Sequence, residues 1–318
     1  MAAVITLIGA TASGKTDLAC ALYQRFPLRL ISVDSAQIYR GMDIGTAKPS
    51  AAFLKQYPHD LIDCCEPEEH YSAARFCQDA HQAIAKAHAD GKIPLLVGGT
   101  MLYYHALFSG LSDLPPADAQ LRAEIMAEMH TRGLPALYAD LLAYDPEQAN
   151  KIAANDTQRI IRFTELFRQT GQPPSALFAQ QKQAAPTWNS LHLALLPERH
   201  LLHQAIAQRF QTMMAAGFLE EVARLKMRPK LTAEHSSMRS VGYRQLWRHL
   251  DGEIDLETAV ELSIIATRQL AKRQITWLNN RLKTVLSMHF YDPYQAETPN
   301  RVFQQVAQFC KHNEGTFL

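Results

Sequence analysis

The chain has 318 residues, 47% hydrophobic and 20% charged, which is ordinary globular composition and room for one large α/β domain plus an insertion. Its 32 Lys and Arg against 31 Asp and Glu leave a net charge of +1, so bulk charge argues neither for nor against a nucleic-acid partner. Five cysteines (Cys20, Cys64, Cys65, Cys77, Cys310) form no CxxC pair, which speaks against a zinc site or disulfide framework and for reduced thiols in a cytoplasmic protein. The apolar opening Ala2–Ala10 has no basic leader and runs into a glycine-rich loop, so it is a buried strand, with no export or membrane segment expected.

Val4–Ile8 is a β-branched run that breaks at Gly9, and helical spacing follows from Lys15 to about Arg25. Leu28–Asp34 is a second apolar strand, Ser72–Asp90 an alanine-rich helix stopped by Gly91, and Pro94–Val97 a third strand closing on Gly98-Gly99-Thr100. Strands alternating with helices predict a parallel sheet flanked by helices, with functional groups at the carboxyl ends of the strands. Gly9–Thr16, Asp34-Ser35 and Gly98–Thr100 all fall there.

After Leu111–Pro116 the texture changes, and Ala117–Gln183 reads as helical, broken at Gly171-Gln172-Pro173-Pro174. The expected organisation is an α/β core of residues 1–114 and 187–318, with residues 115–186 as an all-helical insertion. Leu191–Leu196 is a strand returning to the sheet. Helices are expected at Glu198–Lys226, Tyr243–Leu250, Asp255–Asn280 and Asn300–His312, with Thr284–His289 as an edge strand.

Gly9-Ala10-Thr11-Ala12-Ser13-Gly14-Lys15-Thr16 matches GxxxxGK[ST] between a strand and a helix. Such a P-loop wraps phosphate oxygens with backbone N–H groups, adds the Lys15 charge and offers the Thr16 hydroxyl to Mg²⁺. Asp34, at the end of the next strand, is placed to take a proton from a nucleophile; ligating Mg²⁺ and capping a turn are its alternative roles. Gln37 suits a two-point contact with an adenine edge. The third strand ends without a carboxylate, so nucleotide hydrolysis is an incomplete reading. His200 and His203 lack the Cys or carboxylate company of a metal site and are taken as surface residues.

Together these blocks resemble the tRNA dimethylallyltransferase (isopentenyltransferase) family. The carriers are Gly9–Thr16 (with Ala10 where the family usually has proline), Asp34–Pro49, Gly98-Gly99-Thr100 with Leu102-Tyr103, Ser237–Gln245 and Thr267–Trp277. The resemblance implies a P-loop NTPase-like fold, of the compact bacterial type. It also implies transfer of a dimethylallyl group from dimethylallyl diphosphate to N6 of the adenosine 3′ of the anticodon. By the same resemblance Asp34 is the base, assisted by Thr11 and Thr100, while Gly9–Thr16 hold the diphosphate and Mg²⁺ sits on Thr16. The tRNA anticodon stem-loop would be held by Asp34, Ser35, Ala36, Gln37 and Thr100. Arg122, Gln158, Arg159, Ile160, Ile161 and Arg162 of the insertion would join them. So would Arg239, Ser240, Val241, Gly242, Tyr243 and Arg244, and Lys272, Arg273, Gln274, Ile275, Thr276, Trp277, Leu278 and Asn279. A monomer is expected.

Local charge agrees: Arg224–Lys283 holds 12 Lys or Arg against 6 acids, although a helix complementing its own dipole would show the same gradient. Trp277 is either a stacking platform for a base or a core residue. The competing readings are an ATP-dependent small-molecule kinase and a non-catalytic RNA-binding protein.

Overall fold

The computed structural model describes residues 2–110, 114–180 and 187–313. Its elements are β1 (Ala3–Gly9), α1 (Lys15–Tyr23), β2 (Leu28–Val33), α2 (Ala51–Gln56), β3 (His59–Asp60), α3 (Ala73–Ala89), β4 (Ile93–Gly98) and α4 (Met101–Ser109). Then come α5 (Ala119–Arg132), α6 (Leu134–Tyr144), α7 (Pro146–Ala149), α8 (Thr157–Thr170), α9 (Pro174–Gln180), β5 (Asn189–Leu195), α10 (Arg199–Ala215), α11 (Phe218–Lys226) and α12 (Tyr243–Leu250). The chain closes with α13 (Leu256–Trp277), a π-helical turn (Leu278–Leu282), α14 (Lys283–Val285), β6 (Met288–Tyr291) and α15 (Thr298–Asn313).

All strand pairs are parallel, in the order β3-β2-β4-β1-β5-β6. Both faces of such a sheet are covered, which is why its central strands read as unbroken apolar runs. Alternate residues Ile5, Leu7, Leu30, Leu95 and Leu193 share one cluster with Ala19 and Leu22 of α1 and Val302 and Val306 of α15. Two compact units result: Met1–Phe108 with Pro186–Leu318, and Ser109–Ala185. The second is all-helical, packed around Ile125, Leu137, Leu141, Ile160 and Leu166. No helix among the described residues is long and apolar enough to cross a membrane.

The departures from the sequence reading have local causes. The helix expected over Glu198–Lys226 breaks at Gly217, whose φ of 94° no other residue adopts cheaply. The edge strand expected at Thr284–His289 begins later, at Met288, because the π-turn carries helical structure on to Val285. α4 was not anticipated, since six of its nine residues are buried and it has no polar face to set a period. The two-residue β3 is too short for any pattern. Gln181–Gln183, the end of the expected helical run, lie outside the described residues.

Two buried polar groups tie distant parts of the chain together. The Glu221 carboxylate, 2% exposed, accepts from the backbone N–H groups of Asp43, Ile44 and Gly45 and from the Tyr243 hydroxyl at 2.5–3.1 Å. At the sheet centre, His192 bonds Thr6 Oγ1 through Nδ1 (3.0 Å) and Ser190 Oγ through Nε2 (2.9 Å), with Phe108 edge-on at 4.9 Å. Burial, helped by His289, pushes the His192 pKa down from 6.5 to about 4.

Two outcomes follow. Glu221→Ala strands several buried donors and should cost about 3 kcal/mol or more in urea unfolding; a loss under about 0.5 kcal/mol would mean the loop is held by other contacts. The unfolded chain protonates His192 near its ordinary pKa while the folded chain resists until about 4, so stability should fall as pH drops through that window. At pH 5 the His192 share amounts to about 2 kcal/mol. His192→Gln should remove that part of the pH dependence, and an unaltered pH profile would refute the assignment.

Candidate active site

The carboxyl ends of β1, β2 and β4 are side by side because β1 and β2 both pair with β4, in the registers Ile8↔Gly98 and Val33↔Gly98. A Cβ on Gly98 would come within 2.0 Å of Val33 O, so glycine is what lets the two strand ends meet. One cleft opens there, about 640 Å³ with its open mouth included. Thr11, Ala12, Lys15 and Thr16 line it from the phosphate loop, Asp34 and Gln37 from the β2 end, and Arg209 and Gln274 from α10 and α13.

The phosphate loop is preformed. Gly14 caps α1 in the left-handed region (φ 77°), and Ala12 also takes a positive φ of 61°. A non-glycine residue in that conformation stores strain, and such residues cluster at functional sites. Ala47, which lines the same cleft, is another (φ 50°). Lys15 Nζ donates to Ala10 O (2.6 Å) and Ser13 Oγ (3.4 Å) of its own loop. Burial, followed by repulsion from Arg209, lowers its pKa to about 7, against the pull of Asp34. Burial also lowers the Arg209 pKa, and Asp34 again opposes it. Two cations therefore lie close together in a desolvated cleft with one carboxylate, an arrangement that favours a polyanion.

Asp34 Oδ1 accepts from Ala36 N (2.8 Å) and Gln37 N (3.2 Å), which fixes the carboxylate as the cap of its own turn. Among the described residues Oδ2 accepts no hydrogen bond, so it is available to a proton or an ion. Of the roles read from sequence, the structure shows the turn cap, which uses one oxygen and leaves the other open to the cleft. Thr100 Oγ1 accepts from Ser35 N (3.0 Å) and donates to Ser35 Oγ (3.3 Å), tying the β4 end to the residue after Asp34. The Gln37 side-chain amide makes long bonds, from Ser32 Oγ and to Thr46 O and Ala47 O, each 3.4 Å.

The more distal expectations divide. Gln158, Arg159, Arg239, Arg244, Lys272, Arg273, Thr276 and Asn279 are exposed; Arg159 pairs with Asp156 and Arg239 with Glu234. Arg122 and Arg162 are half-buried, and Arg162 donates to Pro115 O (2.6 Å). Ser240, Val241 and Trp277 are half-buried, with Arg281 over the Trp277 ring at 5.2 Å, so Trp277 is neither core nor fully open.

Other residues expected at the tRNA surface face inward. Ile160 and Ile161 belong to the helical unit's core, and Leu278 is fully buried. The Tyr243 hydroxyl is spent on Glu221, and Gly242 packs against Phe218 with a positive φ of 90°. Ile275 packs against Ala10, Leu202, Ile206 and Ala271. The helical runs at 158–162 and 272–278 turn only part of their circumference outward, while residues 239–242 form the turn that leads into α12 and are placed by its packing. Gln274 points into the cleft instead of toward solvent. His200 does have a carboxylate neighbour, Glu198 at 2.8 Å, yet no group of metal-binding side chains forms among the described residues.

Arg209 escaped the sequence reading. Its signal was present: it lies three residues after Ile206 and seven after Leu202, a charge on the apolar stripe of α10.

A family model described as IPP transferase matches residues 37–281, beginning just after Asp34. The tRNA dimethylallyltransferase of Thiobacillus denitrificans is 53% identical over 277 residues, 87% of this chain and 88% of that one. That of Bordetella parapertussis is 54% identical over 287 residues, 89% and 92% of the two chains. Among solved structures, the full-length tRNA isopentenylpyrophosphate transferase from Bacillus halodurans superposes with a TM-score of 0.71 at 31% identity, covering 99% of each chain. A eukaryotic dimethylallyltransferase acting on tRNA superposes with a TM-score of 0.81 at 26% identity, covering 99% of this chain and 80% of that one. The chain belongs to the IPP transferase family.

Proposed function

We propose that the chain transfers a dimethylallyl group from dimethylallyl diphosphate to N6 of the adenosine 3′ of the anticodon in tRNA, releasing diphosphate. The observation that carries this reading is the shared cleft, lined by two half-buried cations and by Asp34 with its open oxygen. The family and the curated relatives support prenyl transfer to tRNA, and ATP-dependent phosphorylation of a small molecule is not favoured.

In the proposed step the N6 lone pair attacks the allylic C1 as the C1–O bond breaks. The bonding electrons leave with the diphosphate, and an N6 proton passes to Asp34. Lys15, Arg209 and the N–H groups of the phosphate loop stabilise the charge growing on the leaving group. Asp34 matters because an exocyclic amine on a purine is a weak nucleophile. The adenosine must leave its stack to reach this cleft, so it enters flipped. The Thr16 hydroxyl, exposed on the first turn of α1, and the Asp34 carboxylate are both hard oxygen donors on the same cleft, a set that suits Mg²⁺. Thr16 would hold the ion, which would neutralise part of the diphosphate charge. The exposed cations Lys272 and Arg273, which form no ion pair among the described residues, face RNA phosphates in this reading. We place the reaction in the cytoplasm, with the enzyme acting as a monomer.

The direct test supplies labelled dimethylallyl diphosphate, Mg²⁺ and an unmodified anticodon stem-loop. Label should enter the RNA and vanish when the adenosine 3′ of the anticodon is replaced by guanosine. Transfer of the ATP γ-phosphate to a small molecule, with no prenylation, would overturn the reading. Asp34→Ala should cut kcat by about 10²–10⁴ while tRNA affinity holds; a matching loss of affinity would remove Asp34 as the base. Lys272→Ala should weaken tRNA binding and reduce its salt slope by about one phosphate contact; an unaltered slope would take Lys272 out of the interface.

A further inference from the structure

We propose that Gln274 is a positioning residue that sets the phosphate loop against the base, an assignment that rests on the reaction proposed above. Its side-chain amide is used at both ends. Oε1 accepts from Thr11 N at 2.9 Å, and Nε2 donates to Gly99 O at 2.8 Å. The first bond turns one N–H of the phosphate loop toward α13, which fixes how the rest of the loop faces the cleft. The second holds the carbonyl that precedes Thr100, and Thr100 in turn fixes Ser35 beside Asp34. A single amide thus joins the ends of β1 and β4, and Thr100 extends the tie to β2.

The close approach is built in. A Cβ on Gly99 would come within 2.7 Å of Gln274 Nε2 and 3.0 Å of Gly9 O, so the glycine clears space for the amide. The backbone of α13 is held there independently. Ala271 and Ile275 pack against Ala10 and Ala12 of the loop and against Leu202 and Ile206 of α10, the helix that carries Arg209. Removing the amide therefore leaves the helix seated and frees only the two strand ends. The leaving group sits on one of those ends and the base follows the other, so their separation is what the amide controls. Displacements of about 1 Å in such a geometry cost about a hundredfold in rate.

The test uses Gln274→Met, which keeps the volume and removes both hydrogen bonds, and Gln274→Glu, which keeps the acceptor for Thr11 N–H and loses the donor to Gly99. Four quantities are read: thermal midpoint, tRNA stem-loop affinity, inorganic pyrophosphate affinity and kcat of prenyl transfer. Gln274→Met should melt near the wild type, bind the stem-loop unchanged, bind pyrophosphate more weakly and lose about a hundredfold in kcat. In the Thr100→Val background the kcat loss should shrink, because both residues act through one chain of contacts. Wild-type kcat in the variant overturns the proposal. So does a loss of stem-loop affinity, which would make Gln274 an RNA contact, or a kcat loss that only tracks the melted fraction, which would make it a fold residue. If Gln274→Met does not fold, Gln274→Glu carries the same comparison. If the wild type itself transfers no prenyl group, the reaction is wrong, and pyrophosphate affinity decides the role of Gln274 alone.

Discussion

The segment that follows Asp34 is neither helix nor strand, and the buried carboxylate of Glu221 is what gives it one shape. A carboxylate out of water needs donors, and Glu221 finds them in three consecutive backbone N–H groups and a tyrosine hydroxyl. That demand folds Asp43–Gly45 around it. Gly45 is part of the same device, since a Cβ there would fall 2.0 Å from the Phe218 ring. From within the loop Lys48, its side chain 3% exposed, answers with the opposite charge, donating to Tyr39 O, Asp43 and Asp63. Two nearly buried charges, one in the loop and one on α11, thereby specify a surface that backbone propensity leaves undetermined.

Around that fixed loop the site keeps several groups away from their relaxed states. Lys15 has a neutral form within easy reach, Ala12 and Ala47 hold left-handed conformations, and Arg209 is half-buried beside another cation. The charge repulsion between Lys15 and Arg209 is the part of this that a bound polyanion would offset. Lys15 meanwhile donates to its own loop, at Ala10 O and Ser13 Oγ.

Much of the framework could be read from the residues. The parallel sheet, the loop–helix junction at Gly14 and the helical insertion all leave strong local traces, in runs of β-branched residues and in helical periods. The helices expected from Ser72 and from Asp255 begin there, each of those residues serving as the N-cap. Arg209 apart, what escaped had no local trace. α4 is apolar all round, β3 has two residues, and the role of Gln274 depends on a partner 263 residues away. The runs assigned to tRNA were read as continuous blocks, whereas a helix alternates its faces. Ile160, Ile161, Tyr243 and Leu278 are the inward members of those blocks, and packing determines their roles.

The pairing of β1 with β5 has a consequence for how the molecule is made. Thr6 and His192, neighbours across that pair, are 186 residues apart in the chain. At about 5–20 residues per second, a ribosome needs roughly ten to forty seconds to supply the second strand after the first. Throughout that interval one edge of a strand made almost wholly of buried residues lacks its final neighbour, and the whole helical insertion must be synthesised before the gap can close. Nascent chains stalled between Ser109 and Asn189 would therefore present an unpaired apolar edge, the kind of surface that chaperones bind and that aggregates when left alone.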